Sequence, residues 1–387
     1  MSNIKIETLT PVHVGSGNLL HNNLDFIRVD IKKGDDYKPH IVVISEEKVW
    51  KLLGEQHLDN WLQAISNREN LSFFLRRFAP DAKSKEYAKR RIPLYGGLKD
   101  NDTLKETIHN GLGFPYIPGS SIKGSIRTAL LASLANNVQQ ADDKIIVKTR
   151  DREGNIVPKK DKYGNNLVSA NKIEQELFGE DPNRDIFRFI QVGDAYFEKE
   201  TEIATRLINL NIRQSENNLW DTSKSQIVEA IGKEAKSEFQ LKVSKNYYDF
   251  VKNNYRQAGN LPIFSICDLF MLINEHTRKL VEKDISYWND IDKIGDKIGG
   301  DDYVNEMQQI LLEIDNCEAG KSCVLRVGHA SGWRFITGAW TENMNNFKEV
   351  VVPASRPRNR DYEEYDFPKT RRLDEDGCIL GFVKLTM

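Results

Sequence analysis

Residues 114–131 read FPYIPGSSIKGSIRTALL, and the organisation of the chain can be worked out from this segment. Its two prolines each push the preceding residue away from helical geometry, so the segment begins extended. A Pro-Gly turn follows, and Ser120 or Ser121 is placed to cap the next helix. From Ile122 onward the apolar residues recur at helical spacing. The segment therefore predicts a strand-like run that turns into a helix.

The start of this helix has the composition of a phosphate-binding site. Unpaired backbone N–H groups at a helix start attract anions. The sequence adds two hydroxyls (Ser120, Ser121), Gly124 for close approach, and the cations Lys123 and Arg127, which lie four apart on one face. An ordinary capped helix with surface cations is the alternative. Lys123 is followed by glycine rather than serine or threonine, which excludes a Walker A nucleotide-binding loop.

The composition sets limits on the partners. The chain has 387 residues, 39% hydrophobic and 29% charged, with a net charge of −2. This predicts a globular protein of two domains, or one core with insertions, in which any anion site is a local patch. No apolar run reaches the ~18 residues of a membrane span, and no signal peptide is recognisable. Four cysteines without a Cys-x-x-Cys pair indicate a reducing, cytoplasmic setting.

We predict no metal and no cofactor. Cys317, Cys323 and His329 are the candidate metal ligands, and their spacing matches no zinc pattern.

The remaining patterns outline a mixed α and β chain. Alternation predicts strands over residues 4–9, 24–31, 40–44, 187–197 and 205–212, and helical spacing predicts short helices over 45–90 and longer ones over 222–315. A composition shift near 215–225 is the predicted domain boundary.

A basic segment lies between Lys144 and Lys162, with seven Lys or Arg against three acids. Gly-Asn pairs in and just after it predict tight turns. The segment is therefore expected to form a protruding hairpin or a mobile loop. Two interpretations stay open: an insertion without function, or a finger that lies along a polyanion.

A glycine-rich segment near the C-terminus reads VLRVGHASGWRFITG over residues 324–338. Glycines let backbone N–H groups approach a sugar-phosphate chain, arginine pairs with phosphate, and tryptophan can stack on a base. The candidate RNA contacts here are Gly328, Ser331, Gly332, Trp333 and Arg334. Further cations follow at Arg356, Arg358, Arg360, Lys369, Arg371 and Arg372.

His13 is the one histidine with a candidate catalytic role. Its ordinary pKa suits acid–base catalysis. Because no lysine or second histidine in residues 11–17 completes a site, we predict a structural or hydrogen-bonding role for His13.

Three motifs in order carry a resemblance to a known family. They are LTPVHVGSG (residues 9–17), YIPGSSIKGSIR (116–127) and RVGHASGW (326–333). Together they resemble the RAMP proteins of CRISPR effector complexes. The chain length, the helical segment before the glycine-rich loop and the PKTRR sequence at 368–372 are most similar to the family of fifth Csm subunits of type III-A systems.

The resemblance implies an α+β fold with ferredoxin-like (RRM-type) βαββαβ cores, helical insertions and a glycine-rich loop. With the sequence patterns it predicts two parts. Residues 1–220 form a RAMP domain with a helical insertion at 45–100 and the basic loop at 144–166. Residues 221–387 form a helix-rich part with the glycine-rich loop and a closing strand.

The resemblance also implies a function. The expected role is a non-catalytic, cytoplasmic RNA-binding subunit that caps the backbone filament at the 3′ end of the CRISPR RNA and supports 3′-end maturation. Expected partners are CRISPR RNA and neighbouring Csm subunits, with target RNA and host nucleases as further candidates and no membrane.

Two alternatives remain open, namely a metal-independent endoribonuclease using His13 and another RAMP position in the filament or at the 5′ handle. Asp25 lies near the place where RNA-cleaving relatives carry an aspartate, but its strand-like surroundings predict a non-catalytic residue.

Overall fold

The computed structural model describes residues 1–135, 138–212, 217–255, 263, 265–290, 298–355 and 368–387. The strands are β1 (Ser2–Thr8), β2 (Gly15–His21), β3 (Phe26–Lys33), β4 (Asp36–Ile44), β5 (Ala88–Tyr95), β6 (Thr103–Thr107), β7 (Tyr116–Ile117), β8 (Lys148–Arg150), β9 (Ile156–Pro158), β10 (Ile190–Val192), β11 (Ala195–Tyr196), β12 (Glu202–Asn211), β13 (Trp220–Ile231), β14 (Lys236–Val243), β15 (Ser322–Arg326), β16 (Thr370–Asp374) and β17 (Phe382–Thr386). The α-helices are α1 (Glu46–Leu53), α2 (Leu58–Ser66), α3 (Leu71–Phe78), α4 (Ser84–Tyr87), α5 (Gly119–Ala135), α6 (Ala141–Lys144), α7 (Asn171–Phe178), α8 (Lys245–Tyr255), α9 (Ile266–Trp288), α10 (Gly300–Asp315) and α11 (Val352–Ser355). The fold is therefore α+β.

One core lies on a five-stranded antiparallel sheet with the order β10-β14-β1-β17-β15. Alternate residues of β1, including Ile4 and Ile6, are buried against Ile122 and Ile126 of α5 and Phe270 of α9. The two helices also pack against each other. Alternation along β1 and helical spacing along α5 are the sequence patterns that produce this layer.

The second sheet has eight strands. Seven of them follow the order β2-β6-β13-β12-β5-β4-β3, and β16 pairs with β12. Its β12–β13 hairpin crosses the boundary predicted near residue 220, because Asn209 pairs with Asp221. In the other sheet β1 pairs with both β14 and β17. The two predicted parts therefore share both sheets, and the chain does not divide at residue 220.

Several predicted elements differ from those observed. Residues 222–315 were expected to be helical, yet β13 and β14 occupy 220–243. Residues 187–197 were expected to form one strand. The chain instead forms a 3₁₀ helix at Ile186–Phe189 and the short strands β10 and β11. The insertion after residue 45 contains α1 to α4, but β5 follows before residue 100.

The basic segment forms a hairpin that protrudes from the body. β8 pairs with β9, and all three residues of β8 are exposed. A second turn continues the ladder, with bridges at Lys160–Asn166 and Ile146–Val168. We call residues 148–164 the finger. Of the two expected forms, a hairpin or a mobile loop, the hairpin is confirmed.

No helix among the described residues is long and apolar enough to cross a membrane.

Candidate nucleic-acid interface

The start of α5 is already occupied by an anion of the protein itself. The helix begins at Gly119, so Ser120 and Ser121 lie in its first turn, and the prediction that one of them caps it is wrong. The Gly119 N–H donates to Asp194 Oδ1 at 2.7 Å. A Cβ at position 119 would lie 2.3 Å from the Val192 carbonyl oxygen, so this glycine serves close packing of the backbone. Asp194 therefore supplies, at the helix start, the negative charge that the sequence predicts for a bound phosphate.

The two predicted cations of α5 have different surroundings. Arg127 donates to Glu174 at 3.1 Å and to Asp185 at 2.9 Å, and its guanidinium lies over the Phe178 ring. It therefore holds α7 and the following 3₁₀ helix to α5. Lys123 is half-buried and has no hydrogen-bond partner among the described residues, and Gly124 beside it is exposed. Burial lowers the pKa of Lys123, an effect that Asp185 opposes. Lys123 and the exposed Ser120 remain accessible at this helix start.

The glycine-rich loop docks on the first motif. Gly328 has φ +80°, and a Cβ there would meet the His13 carbonyl oxygen at 2.5 Å. The His329 N–H donates to the same oxygen at 2.8 Å. Only glycine allows this approach, because an L side chain would be strained and would clash. The loop is linked to α5 as well, since Thr128 Oγ1 and Thr337 Oγ1 lie 3.1 Å apart. All three sequence motifs thus meet in one region.

Four basic side chains gather where these motifs meet. Arg372 of β16 donates to His329 Nε2 at 2.9 Å and to Asn209 Oδ1 at 3.2 Å. The His13 and His329 rings are 5.6 Å apart, edge to face. Lys105 of β6 acts electrostatically on both histidines and on Arg372. We call Lys105, Arg372, His13 and His329 the cation cluster.

The cation cluster lacks an internal counter-charge. Among the described residues neither Lys105 nor Arg372 has an acidic partner. Burial, followed by the charges of Lys105 and Arg372, lowers the pKa of His329 to about 4. Burial also lowers the pKa of His13, and the hydrogen bond to the Glu229 carbonyl opposes this. Both histidines are therefore neutral at pH 7, and the remaining positive charge would be stabilised by an external anion.

Arg334 and Arg371, which we predicted to face RNA, are buried instead. Each is about 4% exposed, and both pair with Asp284 of α9, at 2.5 Å from Arg334 Nη1 and 2.6 Å from Arg371 Nη2. The Tyr303 hydroxyl donates to the same carboxylate at 2.6 Å. Burial would raise the pKa of Asp284, but Arg371 and Arg334 outweigh it and lower that pKa. These two arginines therefore stabilise the fold rather than present charge at the surface.

The remaining predicted RNA contacts are either half-buried or lie outside the described residues. Ser331, Gly332 and Trp333 are half-buried, and the Trp333 ring packs 5.5 Å from Phe347. Lys369 is half-buried directly before β16. Arg356, Arg358 and Arg360 lie outside the described residues.

His13 and Asp25 have structural contacts. His13 is 2% exposed, and its Nδ1 lies 2.5 Å from the Glu229 carbonyl oxygen. The predicted hydrogen-bonding role is confirmed. Asp25 accepts the His21 N–H at 2.7 Å and so closes the turn between β2 and β3.

Lys105 is the site residue that sequence reasoning missed. It is one lysine in a short polar strand, and nothing in that strand marks it. Only the pairing of β6 with β2 and β13 brings it toward His13 and His329.

One group of metal-type ligands occurs among the described residues. Oxygen and nitrogen atoms of Glu106, His109 and Glu229 lie within 4.8 Å of one another. Arg90 already pairs with both carboxylates, at 3.0 Å and 2.6 Å, and His109 contacts Glu202. The arginine therefore takes the place that a cation would fill.

Comparison with known proteins assigns the family. The model of the RAMP superfamily matches residues 5–300. A chain in the cryo-EM structure of a Csm–crRNA–target RNA ternary complex of a type III-A CRISPR-Cas system has a similar fold, with a TM-score of 0.69 and 18% identity over 100% of both chains. The crystal structure of T. onnurineus Csm5 is also similar, with a TM-score of 0.60 and 18% identity over 98% of this chain and 99% of that one. No curated protein sequence matches this chain. Because the family model covers well over half of its residues, the chain belongs to the RAMP superfamily.

Proposed function

We propose that this protein is a non-catalytic, RNA-binding subunit of a type III-A CRISPR (Csm) complex. Family membership and the full-length similarity to a Csm chain and to Csm5 support the assignment to a Csm complex. The cation cluster carries the proposal, because Lys105 and Arg372 lack acidic partners in the described chain beside a glycine-rich loop. Phosphate contacts of this kind bind a guide irrespective of its sequence. The partners would be CRISPR RNA, target RNA and other Csm subunits.

We further propose a ferredoxin-like core. The series β1, α5, β10, β14, α9, β17 has the order βαββαβ, and its strands occupy the sheet in the order 2-3-1-4. Both helices pack on this sheet and on each other. β15 would be an added edge strand.

A salt titration tests the phosphate contacts. Log affinity for single-stranded RNA falls with log salt by about 0.7 per phosphate neutralised. Lys105→Ala and Arg372→Ala should each reduce that slope by about 0.7 and weaken binding equally for different guide sequences. Lys236→Ala is the control, because Lys236 is exposed on β14 and pairs with Glu7 at 3.5 Å. A wild type without salt-dependent RNA binding would contradict the proposal.

The position in the complex has a separate test. We propose that the subunit caps the filament at the 3′ end of the CRISPR RNA and supports its maturation. Photocrosslinks mapped along the guide in the assembled complex should then fall at the 3′ end. Crosslinks at the 5′ handle, or repeated along the guide, would assign another RAMP position. The burial and hydrogen bonding of His13 disfavour the ribonuclease alternative.

A further inference from the structure

A partly exposed pair of tyrosines lies beside the start of α5. Tyr116 of β7 and Tyr196 of β11 are cross-strand partners in a two-stranded ribbon. Their ring centroids lie 5.2 Å apart with the planes tilted by 32°. Tyr196 is 49% exposed and Tyr116 is half-buried. The pair therefore presents aromatic surface outward rather than into a core.

The orientation of this pair is fixed by one carboxylate. The Tyr196 hydroxyl donates to Asp194 Oδ2 at 3.1 Å, and Asp194 Oδ1 accepts the Gly119 N–H at 2.7 Å. The same hydrogen bond to Asp194 raises the pKa of Tyr196, so the hydroxyl stays protonated. A ring held in place before a ligand arrives loses little conformational entropy on binding. Asp194 thus fixes the aromatic pair relative to the first turn of α5.

The tyrosines are also connected to the cation cluster. The Tyr116 N–H donates to the Ile108 carbonyl at 3.4 Å, and the Ile108 N–H donates to the Val14 carbonyl at 2.8 Å. Val14 follows His13 in the chain. Neighbouring chains in such a ladder are ~5 Å apart, so Tyr116 lies about 10 Å from the chain that carries His13. The exposed Ser120 and the half-buried Lys123 follow Tyr116 in the first two turns of α5.

We propose that the Tyr116–Tyr196 pair stacks on a nucleobase of single-stranded RNA whose backbone contacts the cation cluster. This inference rests on the proposed function. Every base has a π face, so stacking binds RNA without reading its sequence, as the phosphate contacts do. The hydrogen-bonded connection to the cation cluster, and Lys123 in the following helix, favour RNA over a protein partner as the occupant. Asp194 lies at the edge of the pair, bound to the Tyr196 hydroxyl, and leaves the exposed ring face uncovered.

Binding of two oligomers by the full chain tests the proposal. The probes are oligouridine and the matching abasic ribose-phosphate oligomer. Tyr116→Ala and Tyr196→Ala should each weaken oligouridine binding about 5- to 150-fold, the range that stacking of one base supports, and leave abasic binding unchanged. Tyr196→Phe keeps the ring and loses only the hydrogen bond to Asp194, so it should bind oligouridine more tightly than Tyr196→Ala does. Tyr37→Ala removes a tyrosine that is 68% exposed on the β3–β4 hairpin, and it should have no effect.

The outcomes separate this inference from the proposed function. Alanine variants that bind oligouridine like wild type, or that lose equal affinity for both oligomers, overturn the stacking role while RNA binding stands. A wild type that binds neither oligomer overturns both. Thermal melting of each variant shows whether a loss comes from unfolding. In that case Tyr196→Leu decides, because it keeps an apolar side chain without a π face: stacking predicts weaker binding of oligouridine alone, and unchanged binding overturns the stacking role.

Discussion

At the residue scale, the clearest consequence concerns Asp284, which neutralises two buried arginines. We expect Asp284→Asn to lower the free energy of unfolding by about 3–5 kcal/mol, because it leaves Arg371 without a counter-charge inside the protein and leaves Arg334 with Glu342 alone. Asparagine keeps the volume and can still accept from Tyr303, so the loss reports charge rather than packing. Chemical denaturation measures it.

The control for this variant is on the same helix. Glu275 and Lys279 form an exposed pair on α9, and Glu275→Gln should change stability by no more than about 0.5 kcal/mol. Because the pKa of Asp284 lies below its ordinary value of 3.8, its contribution is complete above that pH and is lost as the pH falls further. Equal effects of the two substitutions would show that Asp284 does not stabilise the fold through its charge.

The same residues show what the sequence alone could not give. Arg334 and Arg371 look like surface cations in a basic C-terminal region. Asp284 lies 50 residues from the first and 87 from the second, so no local pattern announces the pairing. Gly328 is a different case. Its positive φ is a local backbone feature that favours glycine, so the residue type itself marks the position in the sequence.

At the element scale, the finger combines carboxylates that hydrogen-bond its turns with exposed cations. Asp151 Oδ1 accepts the N–H groups of Glu153 and Asn155 at 2.9 and 2.8 Å. Asp161 does the same for Tyr163 and Asn165 in the second turn. These acids are therefore used by the turns, whereas the exposed cations without an acidic partner in the described chain are Arg150, Arg152, Lys159, Lys160 and Lys162.

The finger is therefore expected to lie along RNA. Lys159→Glu with Lys160→Glu should lower RNA affinity and reduce the salt slope by about 1.4, since each lost phosphate contact removes about 0.7. Stability should stay within about 0.5 kcal/mol of wild type because both side chains are exposed. Lys32→Glu with Lys38→Glu applies the same charge change to another exposed hairpin and should leave binding intact. If the finger does not contact RNA, the Lys159→Glu, Lys160→Glu variant will bind RNA as tightly as the Lys32→Glu, Lys38→Glu control.

Elements with strong local patterns were predictable, and those set by distant pairing were not. α5 and β1 follow their periodicity. β13 was missed because its first half, from Thr222 to Gln226, is polar and largely exposed. It forms a strand because β12 pairs along it. The start of α5 was misplaced for a similar reason, because Asp194, which binds it, lies 75 residues away.

At the scale of the whole molecule, the candidate site exists only in the folded chain. The cation cluster comes from four separated segments. Lys105 and Arg372 lie in strands of the second sheet, whereas His13 and His329 lie in the segments that follow β1 and β15. The motifs could be recognised one by one because each is local. Their meeting point, and with it the role of Lys105, depends on strand pairing that no single segment encodes.

The junction between the chain's two ends gives the final prediction. Gly328→Ala adds a Cβ at φ +80° that would lie 2.5 Å from the His13 carbonyl oxygen. Gly17→Ala adds one at φ +93° with nothing within 4 Å, so it isolates the backbone strain. Gly17→Ala should lose about 1–2 kcal/mol of stability and keep RNA binding. Gly328→Ala should lose about 1–3 kcal/mol more through the clash and should also lose RNA affinity, because the loop that holds His329 against Arg372 must move. Denaturation and RNA titration of the two variants measure both effects. If Gly328→Ala matched Gly17→Ala in both, the docking of the glycine-rich loop on the first motif would not be what assembles the cation cluster.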